Sequence, residues 1–154
     1  MADASALQQL IDRAAIRDVM VRYARGLDRR DFDLVRTCFT ADATADYGAG
    51  AQKVHGIDRI IETVQVVERF QFTMHFMGDQ IIDLHDDRAD VETYAKDHLR
   101  YTVDGKEYDM TGGLRYVDQF VRQDGEWRIA ARVMHTDWRR LDPVADSPGP
   151  VLGP

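Results

Sequence analysis

Apolar residues change their spacing near the middle of this chain. From about Ser5 to Arg29, Ile16, Val19, Met20, Tyr23 and Leu27 recur at intervals of three and four, the signature of one buried helical face, with charges mostly elsewhere. Asp31 is placed to cap a second, shorter helix carrying Leu34, Val35, Cys38 and Phe39. Ala43 to Tyr47 reads as a short strand and Gly48-Ala49-Gly50 as a turn. After Val54-His55-Gly56, helical spacing returns over Ile57 to Phe70 through Ile60, Ile61, Val64 and Val67. From Phe72 onward the period is two, which predicts strands over Phe72–Leu84, Ala89–Thr102, Tyr108–Arg122 and Glu126–Trp138. The links between them, His85-Asp-Asp-Arg88, Val103-Asp-Gly-Lys106 and Gln123-Asp-Gly125, carry hairpin chemistry, Asp-Gly most strongly.

Helices first and an antiparallel meander afterwards is an α+β pattern. A sheet of this kind can curl into a cone whose mouth is an apolar pocket, with helix one across the concave face. Residues 1–141 are expected to form one domain, and the proline-bearing stretch 142–154 a loosely ordered tail.

Polar residues on apolar faces then become informative. Along Ala89–Tyr101, alternation groups Val91, Thr93, Ala95, Asp97, Leu99 and Tyr101 on one face, and Glu92, Tyr94, Lys96, His98 and Arg100 on the other. The first set is mainly apolar, so Asp97 is its anomaly: a carboxylate that must be paired, protonated or exposed to a cavity. The alternatives are a solvated edge position, or a bulge that exchanges the two faces. His75 stands among Phe72, Met74, Phe76 and Met77. By itself such a residue is more often a hydrogen-bonded core histidine, yet an imidazole in an apolar cavity is also a ready general base. Tyr23 lies on the buried helical stripe. Asp28 is one step off it near the helix end, where a carboxylate is better placed beside an NH-donating partner than in the field of the helix C-terminus. Arg132 alternates with Ala130 and Met134, which allows an inward reading beside that of an exposed sheet arginine.

Composition narrows the class without identifying the chemistry. The 154 residues suit one domain, and 44% hydrophobic with 31% charged residues is a globular balance. Acidic residues outnumber basic ones 27 to 20, a net charge of -7 that repels phosphate backbones, so no nucleic-acid partner is expected. The single cysteine, Cys38, rules out an intrachain disulfide and any CxxC site. The start MADASALQQLIDR lacks a signal-peptide pattern, and no apolar stretch is long enough to span a bilayer, so a cytoplasmic protein without membrane association is expected. No dinucleotide, P-loop, HExxH, EF-hand or GxSxG pattern occurs, and no histidine pair has helical ligand spacing. Neither metal nor cofactor is therefore expected.

The run Ala15-Ile-Arg-Asp-Val…Tyr23-Ala-Arg-Gly-Leu-Asp28-Arg-Arg-Asp-Phe, together with Asp46-Tyr47-Gly48, Met74-His75-Phe-Met-Gly78 and Asp124-Gly-Glu-Trp127-Arg, resembles the SnoaL-like branch of the nuclear transport factor two-like superfamily. The resemblance spans roughly Leu7 to Trp138 and implies a cone of curved antiparallel sheet closed by helices, a cystatin-like α+β barrel. It is similar to scytalone dehydratase, bile-acid 7α-dehydratase and lindane dehydrochlorinase, members that eliminate a leaving group without cofactors. By that resemblance Asp28 and His75 match the family's carboxylate–imidazole pair, and Tyr23 and Asp97 match further catalytic positions. A second histidine of scytalone dehydratase is matched more nearly by His98, and a regular strand turns only one of Asp97 and His98 inward; Asp97 is preferred. The dehydrochlorinase has lysine at the position of Tyr23, a departure that counts against haloalkane elimination, while its cavity arginine matches Arg132.

The expected function is a cofactor-independent lyase of dehydratase type. Asp28, His75, Tyr23 and Asp97 would be catalytic, with Tyr47, Arg132 and His98 binding a hydrophobic, oxygenated ring substrate of aromatic, polyketide or steroid type. An isomerase or cyclase using the same base, and a noncatalytic ligand-binding or subunit-interaction module, are the alternatives. The resemblance further implies a homo-oligomer, a trimer more than a dimer.

Overall fold

A 28-residue helix, α1 (Ala2–Arg29), opens the chain and lays Ile16, Val19, Met20, Tyr23 and Leu27 into the core, none of them more than 3% exposed. A computed structural model of the protein describes residues 2–48 and 53–144. The short helix α2 (Phe32–Arg36) follows, with the Asp31 side chain accepting a hydrogen bond from the Leu34 amide as the expected cap. Next come β1 (Phe39–Asp46), β2 (Lys53–His55) and α3 (Ile57–Val64), the last continuing as a 3₁₀ turn over Gln65–Arg69. The long strands β3 (Phe72–His85), β4 (Arg88–Val103), β5 (Lys106–Gln123) and β6 (Glu126–Pro143) complete the order.

The α+β architecture predicted from the change of period is the observed one, with the helices on the concave side of a curved six-stranded sheet. Two-residue links close all three hairpins. In Asp104-Gly105 and Asp124-Gly125 both residues take positive φ, the conformation that matches strand twist.

Several details differ from the expectation. Cys38 and Phe39, read into the second helix, lie beyond its end at Arg36, and Phe39 opens β1 four residues before the predicted strand. The α-helix expected over Ile57–Phe70 ends at Val64. Among the described residues the sheet order is β2-β1-β6-β5-β4-β3, so β2 and β3 are its edges and the sheet does not close into a barrel. The sheet is not wholly antiparallel: β1 lies parallel to β6, because helices precede β1 while the meander brings β6 back alongside it. The three-residue β2 has too few positions to show a period. Finally, β6 runs through Pro143, past the predicted end at Trp138 and into the stretch expected to be loose. Residues 145–154 lie outside the described residues, as do Ala49 and Gly50 of the predicted turn.

Register shifts interrupt the ladder in β3 between Met77 and Gln80, and between β5 and β6 at two points. Such bulges bend strands and increase their twist, and they give the sheet its concave face. The front half of α1 is pinned by the buried Asp12, which accepts hydrogen bonds from Trp127 Nε1 (3.1 Å), Arg122 Nη2 (2.7 Å) and Gln8 Nε2 (3.1 Å).

Candidate active site

Strand register builds the first part of the site. His75 on β3 stands opposite Asp97 on β4, Asp97 opposite Gly112 on β5, and Gly112 opposite Arg139 on β6. Directly opposed residues share a face, so one transverse row carries an imidazole, a carboxylate, a gap and a guanidinium. The gap matters. Without a side chain at Gly112, Arg139 reaches across β5, and its Nη1 lies 2.7 Å from both oxygens of Asp97. A Cβ at Gly112 would fall 2.7 Å from that nitrogen and 2.9 Å from Asp97 Oδ1.

At the other end of the row, α1 delivers Asp28 to His75. Asp28 Oδ1 is 2.6 Å from His75 Nδ1, and Oδ2 accepts the His75 backbone N–H at 2.9 Å. An ionised Asp28 accepts at both oxygens, which puts the ring proton on Nδ1 and leaves the Nε2 lone pair as the basic end. Among the described residues no hydrogen bond engages Nε2. The ring is 7% exposed and lines the cavity.

Beneath these groups lies an aromatic stack. The Tyr23 and Tyr47 hydroxyls are 3.2 Å apart. The Arg132 guanidinium sits 4.3 Å from the Tyr23 ring centroid and 4.4 Å from that of Tyr116, with Asp118 gripping it bidentately at 2.8 Å. Arg132 and Asp118 are fully buried and form an ion pair with no net charge. Burial raises the Tyr23 phenol above its ordinary value against the pull of Arg132, and burial pushes Tyr47 well above its own, so both are neutral hydrogen-bond donors.

These elements surround one cavity of about 220 Å³. Leu27, Val64, Val67, Phe70, Leu99 and Met134 supply apolar wall, while Tyr23, Tyr47, His75, Asp97, Tyr116 and Arg139 bring polar atoms to it. An apolar hollow with a few convergent polar groups is the usual form of a small-molecule site. Among the described residues no group of three or more His, Cys, Asp or Glu is arranged to hold a metal ion, and no helix is long and apolar enough to cross a membrane.

A family model described as a SnoaL-like domain matches residues 8–133. The chain belongs to the SnoaL-like domain family. A relative of this SnoaL-like protein, an uncharacterized protein of Mycobacterium tuberculosis, is 30% identical over 130 residues, covering 81% of this chain and 85% of its own. Among solved structures, a protein from Novosphingobium aromaticivorans assigned as a scytalone dehydratase superposes with a TM-score of 0.77 at 24% identity, covering 91% of each chain. A hexachlorocyclohexane dehydrochlorinase, LinA-type3 of Novosphingobium barchaimii, gives a TM-score of 0.77 at 18% identity, covering 92% of this chain and 96% of its own. At these identities the likeness is one of fold.

Set against the sequence expectations, the SnoaL-like domain brings His75, Tyr23, Tyr47 and Asp97 to one cavity, while Asp28 stands behind its wall and reaches it only through His75 Nδ1. His98 does not join them. The alternation that turns Asp97 inward turns His98 to the convex face, where its Nε2 lies 3.1 Å from Asp109 and its ring meets Phe72 edge-on. Arg132 points inward as read but stops below the cavity floor, fully buried between rings, so it does not line the space available to a ligand. The cavity arginine is Arg139, which the sequence reading missed. β6 carries one extra residue, Asp137, where Thr136 pairs Leu114 and Trp138 pairs Gly113. That bulge reverses the parity, and Arg139, outward by simple alternation, turns in. Asp118 was also missed, although an acidic residue alternating with Tyr116 and Phe120 is the same kind of anomaly as Asp97.

Proposed function

We propose that the protein is a cofactor-independent lyase that removes water from a hydrophobic, oxygenated ring compound by general acid–base catalysis. The observation that carries this reading is the 2.6 Å contact between Asp28 and His75 Nδ1, with the ring set in the wall of an apolar cavity. Asp28, by accepting from Nδ1–H, fixes the tautomer and leaves the Nε2 lone pair facing the cavity. Nε2 takes a proton from a carbon beside a carbonyl, the C–H electrons form the new double bond, and the imidazolium returns the proton to the departing hydroxyl, which leaves as water. Tyr47, backed by Tyr23, donates a hydrogen bond to the carbonyl oxygen as negative charge develops there. Asp97, held by Arg139, accepts a hydrogen bond from the hydroxyl that departs. Positioned proton transfer contributes roughly 10²–10⁴-fold and an oriented oxyanion donor roughly 10²–10³-fold, enough for an activated C–H bond.

Cavity size limits the substrate. A cavity of roughly 150 Å³ holds benzene, so about 220 Å³ suits one or two fused rings better than an enclosed steroid skeleton. The names of the fold neighbours, a dehydratase and a dehydrochlorinase, denote loss of water and of hydrogen chloride, and they support elimination as the reaction class. The convex face exposes Met74, Phe76, Tyr94 and Trp138, which supports the expected homo-oligomer, and the lone cysteine suits a reducing compartment such as the cytoplasm.

The test is a mass-resolved screen of hydroxylated one- and two-ring carbonyl compounds. Loss of 18 mass units, the mass of one water, is the expected outcome. A product of unchanged mass means that the same base serves an isomerase or cyclase, and tight binding without any product means a binding module. On a hit, His75→Ala should abolish turnover while the melting temperature stays within a few degrees, and Asp28→Asn should lower kcat by roughly 10²-fold or more with little change in binding. Turnover that survives both substitutions refutes the mechanism.

A further inference from the structure

Asp28 and His75 belong to elements 47 residues apart in sequence, so something other than the local chain must hold them in register. The backbone just after α1 is unusual there. Arg30 takes φ +59°, a left-handed conformation that disfavours any residue with a Cβ. Its amide bonds the Leu27 carbonyl at 3.2 Å and the Asp31 amide bonds the Gly26 carbonyl at 2.9 Å, the paired closure of a helix C-terminus at which glycine is the usual occupant. Arginine in that position gains nothing from its backbone, and its side chain accounts for its presence.

The half-buried guanidinium reaches four acceptors. Nη1 donates one hydrogen to the hydroxyl of Thr73 and shares the other between the carbonyls of Leu27 (3.0 Å) and Asp28 (3.2 Å), and Nη2 donates to the carbonyl of Phe70 at 3.0 Å. Two acceptors lie at the end of α1, one of them on Asp28 itself. The other two lie at the entry to β3: Phe70 lines the cavity, and the buried Thr73 shares the concave face of the strand with His75, two positions on. One planar, permanently charged fork therefore bridges the two elements that carry the acid–base pair. A point charge could not span four acceptors in this way.

We propose that Arg30 is a positioning residue, whose guanidinium clamps the end of α1 to the start of β3 so that Asp28 meets His75 Nδ1 at hydrogen-bonding distance. The proposal rests on the general-base reading of that pair. It differs from an ordinary helix cap in what it predicts, because a cap would be served equally well by glycine, with no consequence for His75.

The test reads the imidazole directly and needs no substrate. In the full-length ¹⁵N-labelled protein, His75 ring signals are assigned with His75→Gln, and Asp28→Asn supplies the reference for a lost bond. Wild-type protein should show the Nδ1–H tautomer with a slowly exchanging, downfield ring proton. In Arg30→Gly, which relieves the left-handed strain, the amide spectrum should stay native while exchange of that proton accelerates roughly tenfold or more, the factor expected from losing about one hydrogen bond of restraint. On any compound the wild type turns over, kcat should fall by roughly 10²-fold with KM little changed. Should Arg30→Gly not fold, Thr73→Val removes one side of the clamp with the arginine intact, and the same acceleration is expected in smaller degree. Unchanged His75 signals in the folded variant overturn the role of Arg30 and leave the Asp28–His75 pair standing. Absence of the Nδ1–H signal from wild-type protein removes both.

Discussion

Gly112 shows how a single missing side chain can organise a site. Asp97 and Arg139 are separated by a whole strand, and their ion pair exists because nothing stands between them on β5. Gly112→Ala places a methyl group against the far ends of both side chains, which can swing away. Stability should therefore fall by only about 1 kcal/mol, the low end for overpacking, in urea titrations. Turnover of any identified substrate should fall by roughly tenfold or more, because the carboxylate loses its fixed partner. Unaltered kinetics in Gly112→Ala would separate the ion pair from catalysis. The same row shows what could be read at this scale. Asp97 was legible because β4 alternates without a break through it. Arg139 was not, since the extra residue at Asp137 leaves no mark in the polarity pattern. Alternation also gives the direction of a side chain and not its depth, which is why Arg132 was read correctly as inward and wrongly as a ligand contact.

Among the elements, those with strong local signals were recovered: the buried stripe of α1, the cap at Asp31 and the two Asp-Gly hairpins all follow from contacts a few residues apart. The parallel pairing of β1 with β6 and the openness of the sheet depend on contacts between distant parts of the chain, for which one sequence carries no local pattern. On the convex side the pairing of β4 with β5 has an electrostatic component that pH should expose. Asp109 accepts both arms of Arg100 (2.7 and 2.8 Å). These bonds, reinforced by His98 against the cost of burial, hold its carboxyl at about 2. Its pKa is depressed on folding, so the stabilisation is complete above the unfolded value of about 3.9 and is lost as pH falls toward the folded value. Urea midpoints between pH 5 and 2 should show an acid loss of about 1 kcal/mol attributable to this pair, discounted for its partial exposure. Asp109→Asn should be less stable at neutral pH and lack that component; an equal acid loss in the variant would refute the assignment.

At the scale of the molecule, the Asp118–Arg132 pair sits where α1 meets the sheet, a charge couple with no access to solvent. Removing one member leaves the other uncompensated, so Asp118→Leu should destabilise by about 3–5 kcal/mol, whereas the double variant with Arg132→Met should recover most of the loss. Denaturant unfolding of the two proteins measures both numbers, and a double variant no better than the single one would show that the stack of Tyr23 and Tyr116 needs the cation itself. The sheet order has a consequence for biosynthesis. The sixth strand lies between β1 and β5, so the middle of the sheet is assembled from segments far apart in sequence. Until residues 126–143 emerge from the ribosome, the inner edges of β1 and β5 face each other unpaired, open to any passing extended segment. Nascent chains stalled before that point should be captured by chaperones far more than chains in which β6 has been made, and the pocket, roofed early by α1, becomes a pocket only once that strand is in place.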